Sequence, residues 1–143
     1  MSSKFFFLIL TLVCLGCQKS NQDYTHLIQQ EKKIVASKEA AFQRVTQYLA
    51  KQFPEEALLQ INHVSFVHGS HKIIALIFYQ TQTGEHNLVI EQELGENQNV
   101  MGEKLSTCYG DDCTCKVRVM VDNNGNVEMG CNCSSCYMIT TEV

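Results

Sequence analysis

Residues 116–133 read KVRVMVDNNGNVEMGCNC, and their alternation decides the fold. Lys116 to Asp122 alternates strictly, Asn123-Asn124-Gly125 breaks the pattern, and Val127 to Cys133 alternates again. A period of two marks strands with one buried face, and an Asn/Gly break between them marks a hairpin turn. The register follows from demanding that apolar faces agree, because a slip of one residue turns every side chain to the other face. A two-residue turn at Asn124-Gly125 would set Val121 against Glu128 and Val119 against Gly130. A three-residue loop pairs Val121 with Val127, Val119 with Met129, Val117 with Cys131 and Cys115 with Cys133. It also puts Gly125 where such a loop needs a left-handed residue. The second register is the expectation.

Upstream of this hairpin the pattern predicts three more strands. Residues 58–68 carry Leu59, Ile61, Val64 and Phe66. Gly69-Ser70 reads as a two-residue hairpin connection, with Gly69 supplying positive φ. Residues 71–81 (HKIIALIFYQT) are apolar on both faces, as an interior strand would be. Thr83-Gly84 makes the next turn, and Leu88 to Ile90 lie in the third strand. Residues 95–112, rich in Gly, Asn and Asp, read as a loop. Before the strands, from about 26 to 52, Ile34, Val35, Ala41, Phe42, Val45, Tyr48, Leu49 and Phe53 recur at helical spacings and form one apolar stripe. Pro54 closes that helix, since the residue before a proline avoids the α region. The class expected is therefore α+β, with one N-terminal amphipathic helix packed on an antiparallel sheet of about five strands and a Cys-rich C-terminal hairpin. The helix-then-meander order resembles the cystatin-like arrangement, a likeness of architecture that carries no function.

The chain's other end supplies an address. Residues 1–17 read MSSKFFFLILTLVCLGC: Lys4 gives a positive start, and Phe5 to Leu15 form an apolar run of 11 residues. Such a run is too short to span a bilayer as a helix and fits the core of a signal peptide. It ends in Leu15-Gly16-Cys17, which resembles the lipobox of bacterial lipoproteins; Cys14 stands where that family usually has leucine. The resemblance covers this end only. It implies cleavage after a signal peptide of residues 1–16, a lipid on Cys17, a tether over 17–25 and a single folded domain over 26–143, with the Cys-rich segment at 108–136. It also implies a location in the cell envelope. By the sorting rule of enteric lipoproteins, Gln18 points to the outer membrane in a Gram-negative host. Loss of Lys4 with the signal takes the formal charge from -4 to -5. A weakly acidic chain without a Lys/Arg cluster has no electrostatic reason to seek nucleic acid. The partners expected are the membrane, through the lipid, and an envelope protein.

With Cys14 removed and Cys17 lipidated, six of the eight cysteines remain: Cys108, Cys113, Cys115, Cys131, Cys133 and Cys136. An even number in an oxidising compartment is what a disulfide framework leaves. The hairpin register brings Cys115 opposite Cys133, where cross-strand Cβ atoms lie about 4.5–5.5 Å apart, so this pair is the first disulfide expected. The other four cysteines permit three pairings, left open. A zinc or copper site built from the same residues is the alternative. Zinc sites draw on C-x2-C pairs, and Cys133-Ser134-Ser135-Cys136 has that spacing. Cys113-Thr114-Cys115 does not: in an extended strand residues i and i+2 are about 6.5 Å apart, too wide for one zinc unless the backbone curls, although Cu(I) would accept a looser cluster. The exported address favours disulfides. Thiol–disulfide exchange at Cys133–Cys136 lacks the helix and cis-proline of a thioredoxin-like setting, Pro54 being the one proline.

Other patterns read as structure. His68 and His71 flank a turn, and His86 lies a strand length away. Asp122, Asn124 and Asn126 open like a calcium loop, but its sixth and twelfth positions are Val127 and Cys133. No nucleotide-binding, nucleophile-elbow or zincin motif is present, so no catalytic residues are nominated. The function expected is a membrane-tethered, non-catalytic, disulfide-stapled binding or structural domain.

Overall fold

The structure, a computed structural model, describes residues 27–97 and 99–143. The expected signal peptide, Cys17, the expected tether and His26 lie outside the described residues. Among the described residues no helix is long and apolar enough to cross a membrane.

The expected single helix is two. Helix α1 covers residues 27–34 and α2 covers Lys38–Gln52. The break has a local cause. Ser37 adopts an extended conformation, and its Oγ accepts a hydrogen bond from Ala40 N at 3.2 Å, so α2 starts with its own N-cap. The apolar stripe survives the break, for Ile34, Val35, Ala41, Val45, Tyr48 and Leu49 are all buried. Phe42, assigned to the stripe from spacing, is 40% exposed. Phe53 caps α2 by donating its N–H to Leu49 O at 2.7 Å, and Pro54 follows.

Seven strands follow: β1 (Leu58–His68), β2 (Lys72–Thr81), β3 (Glu85–Leu94), β4 (Val100–Tyr109), β5 (Val117–Val121), β6 (Val127–Cys131) and β7 (Tyr137–Glu142). Five form one antiparallel sheet in the order β1-β2-β3-β4-β7, while β5 and β6 form a separate two-stranded sheet. The α+β class and the count of five in the main sheet agree with expectation, but the membership does not. The stretch 95–112 read as a loop contains β4, the C-terminal residues contain β7, and the Cys-rich hairpin is outside the main sheet. Within that hairpin the pairing is the expected one: Val117 with Cys131, Val119 with Met129 and Val121 with Val127. Gly125 has φ +78, as its loop position requires.

The sheet is covered on both faces. Alternate residues of β2 and β3, Ile73, Ala75, Ile77, Tyr79, Leu88 and Ile90, pack with Ala41, Val45, Tyr48 and Leu49 of α2. Their neighbours Ile74, Leu76 and Val89 point the other way and pack with Val117, Val119, Val127 and Met129 of the hairpin. This double cover explains why β2 reads as apolar throughout. The architecture is three layers: helices, main sheet, hairpin.

The end of the hairpin furthest from its cysteines is docked by close contact. Ser70 N donates to Gly125 O at 2.9 Å, and Ser70 Oγ to Asn124 O at 3.0 Å. Gly69 is expected to supply positive φ, but among the described residues the positive-φ glycines are Gly84 and Gly125. Its role is steric, because a Cβ on Gly69 would come within 2.5 Å of Val127 Cγ2.

Candidate functional site

The chemistry-bearing residues gather where the hairpin ladder ends. Beyond the pair Val117–Cys131, the side chain of Asn132 takes over from backbone. Asn132 N donates to Lys116 O at 3.0 Å, Lys116 N to Asn132 Oδ1 at 2.7 Å, and Asn132 Nδ2 to Thr114 O at 2.9 Å. An amide that imitates a strand holds residues 114–116 without extending the ladder, so Cys115 and Cys133 are not cross-strand partners.

Three disulfides result: Cys108–Cys131, Cys113–Cys133 and Cys115–Cys136. The expected Cys115–Cys133 bond is thereby corrected. Its premise was that the strands ran on to residues 115 and 133, whereas they end at Val117 and Cys131. Cys108–Cys131 ties β4 to β6 through the core between the layers. The other two tie the segment before β5 to the segment after β6. Each closes a loop of 20 to 23 residues, for which constraint of the unfolded chain gives about 3 kcal/mol; the loops overlap, so the contributions do not add. The C-x2-C pair is not internally bonded. Cys136 N donates to Cys133 O at 3.2 Å to make a turn, and each sulfur has a partner elsewhere.

Two of the disulfides touch. Cys113 Sγ and Cys136 Sγ, which are not bonded to each other, lie 3.3 Å apart. The Sγ atoms of Cys113, Cys133 and Cys136 all fall within 4.8 Å of one another, and Cys115 Sγ is bonded to the third. Cys115 is buried and the other three are half-buried. Six sulfurs thus divide into one staple between β4 and β6 and a four-sulfur cluster beyond the end of the β5–β6 ladder.

A buried amide locks the same region to the sheet. Asn87, fully buried on β3, donates through Nδ2 to Val117 O at 2.8 Å, and its Oδ1 accepts from Val117 N at 2.8 Å. Both backbone groups of Val117 are satisfied by one side chain of another layer.

On the helix side of the sheet lies a small cleft that sequence patterning did not signal. Phe53, Tyr79, Glu56, His86, Thr107 and Tyr109 are among its walls. Phe53 stacks on Tyr109 with centroids 5.3 Å apart. Thr83 Oγ1 donates to Glu56 Oε1 at 2.6 Å, while Glu56 Oε2 is buried without a hydrogen-bond partner. Burial holds the His86 imidazole below its ordinary value, with Glu56 opposing and Lys116 adding to the shift. Burial also raises the phenols of Tyr79 and, to about 12, Tyr48. These residues come from α2, the α2–β1 connection and strands β2 to β4, so no local spacing announces them.

The remaining candidates are placed apart or used structurally. His68 Nε2 pairs with Glu31 Oε1 at 2.8 Å, and His71 is exposed. His86 pairs across the β2–β3 ladder with Tyr79, at the opposite end of the strand. The Asp122 carboxylate accepts from Asn124 N, Asn126 N and Asn126 Nδ2, each at 2.8 Å, which organises the hairpin turn. No family model, no curated protein and no solved structure matches this chain.

Proposed function

We propose that the chain is a membrane-tethered exported lipoprotein, anchored through Cys17 to the cell envelope, whose folded part is a non-catalytic, disulfide-stapled binding or structural domain. The observation that carries this reading is the use of all six C-terminal cysteines in disulfides. Disulfides form and persist in oxidising compartments outside the cytosol. That fits the N-terminal sequence, in which a charged start and a short apolar run lead to Leu15-Gly16-Cys17. Every disulfide holds one layer or loop to another, which is a mechanical role. The domain would thus keep its shape at a surface, where an envelope protein is the partner. In a Gram-negative host that follows the enteric sorting rule, Gln18 would direct it to the outer membrane.

The test is the mass of the mature chain from a bacterial host, with and without Cys17→Ala. The expected product starts at Cys17, carries a diacylglyceryl group and acyl chains, and partitions into detergent. Cys17→Ala should lose the lipid. A mature chain that begins beyond residue 17, or one with no lipid on Cys17, would overturn the anchor.

A further inference from the structure

We propose that the four sulfurs of Cys113, Cys115, Cys133 and Cys136, once reduced, form a tetrathiolate site for one soft d10 metal ion of the zinc type, while Cys108–Cys131 remains as the staple that keeps the site assembled. This does not rest on the lipid anchor.

The geometry comes first. Four thiolates on a tetrahedral zinc, with Zn–S of about 2.3 Å, are about 3.8 Å from one another. The unbonded pair Cys113–Cys136 is already at 3.3 Å, and Cys133 is within 4.8 Å of both. The two bonded pairs need only open from disulfide to tetrahedral-edge distance. An extended C-x-C could not place two sulfurs on one ion, but residues 110–116 are not in a strand, so Cys113 and Cys115 are free of that limit. Gly110 allows this packing. A Cβ there would lie 3.0 Å from Cys115 Sγ and 2.8 Å from Ser135 O, so only glycine lets the 110–116 segment close against 133–136. The C-x2-C turn at Cys133–Cys136 is the half-site that zinc proteins use.

The chemistry balances with a dithiol as the reductant. Its thiolate attacks the Cys133 sulfur, the S–S bond breaks, and Cys113 leaves as thiolate. Cys113 then lies 3.3 Å from Cys136 Sγ and attacks it, displacing Cys115. The dithiol's second thiol displaces Cys133 as it closes to a cyclic disulfide, and a second dithiol cleaves the new Cys113–Cys136 bond in the same way, so two dithiols supply four electrons and four protons in all and leave as two cyclic disulfides. Binding the ion then releases the four thiol protons to solvent. Because the two disulfides are in contact, they are reduced as a unit. Cys108–Cys131 joins two strands, β4 and β6, whereas the other four cysteines lie outside any strand, so it is reduced last.

The mature chain would be reduced anaerobically with a limiting dithiol, freed of it by gel filtration, and titrated with Co(II) and then Zn(II). The expected result is one Co(II) per chain with sulfur-to-cobalt charge-transfer bands and intense tetrahedral visible bands, both lost on adding Zn(II). Alkylation of the zinc-loaded chain should spare Cys113, Cys115, Cys133 and Cys136 and become complete after chelation. Cys113→Ser with Cys133→Ser should lose the bands. Absence of the bands in the reduced parent, or alkylation of any two of the four cysteines despite bound zinc, would overturn the site. So would unchanged bands in the double variant.

Discussion

The two faces of the main sheet are held by different means. The helix-side face buries Ile73, Ala75, Ile77, Tyr79, Leu88 and Ile90 against a stripe of α2 and has no covalent link. The hairpin-side face buries fewer apolar residues, Ile74, Leu76 and Val89, against Val117 and its neighbours on strands of five residues each. It is held by disulfides, one buried asparagine and two glycine-lined turn contacts. Burial contributes roughly 25 cal/mol per Å² of apolar area, so a 15-residue helix with a full stripe holds itself, whereas an isolated two-stranded hairpin is marginal in water. One layer is thus a hydrophobic core and the other a clamped lid.

The largest expected effect is on the helix side. Ile77 is fully buried, and Ile77→Ala should destabilise the whole domain by about 2–5 kcal/mol. In urea, helix and hairpin signals should then shift together. Replacing Cys108 and Cys131 together by alanine comes next, at about 2–4 kcal/mol. Here hydrogen exchange should rise in residues 117–131 while β2 and β3 stay protected. If all segments lose protection equally, the lid is part of one cooperative core. Asn87→Leu should follow at about 1–3 kcal/mol, because it strands the N–H and C=O of Val117 without partners. Its exchange pattern should resemble that of the disulfide variant. The smallest effect is a pH slope. His86 has its folded value below the ordinary 6.5, so the unfolded chain binds the proton more readily. The stability it contributes is full above pH 6.5 and is lost as pH falls through the folded value. Urea midpoints for wild type should fall more steeply below pH 6.5 than those for His86→Gln; equal slopes would remove His86 as the cause.

The parts legible in sequence are those in which one residue pattern answers to one neighbour. The β5–β6 register was readable because its inward face is apolar or sulfur at every pair from Val121 to Cys131, and the α2 stripe because its spacing is helical. Strand β4 was hidden. Its helix-side residues include Glu103 and Thr107, and its hairpin side presents Lys104, Ser106 and Cys108, so neither face reads as apolar. Glu103 is instead paired with Arg44 and accepts from Gln92 Nε2 at 2.9 Å, and Thr107 donates to Asn87 O at 3.0 Å. Strand β7 is an edge with mixed exposure and carries little pattern. The disulfide pairing was not legible because it depends on Asn132, whose side chain ends the ladder, and on Cys108, which belongs to a strand that patterning missed. The cleft around Glu56 and His86 draws on five separate segments, and only the fold brings them together.

The most direct test of the clamped lid is the disulfide connectivity of the native chain. Trypsin leaves Cys108, Cys113 and Cys115 in one peptide and Cys131, Cys133 and Cys136 in another, so stepwise reduction with differential alkylation is required. It should be done in acid, where the touching sulfurs of Cys113 and Cys136 cannot exchange. The expected bonds are Cys108–Cys131, Cys113–Cys133 and Cys115–Cys136. A Cys133–Cys136 bond, or a Cys108 left unlinked to β6, would contradict the clamp.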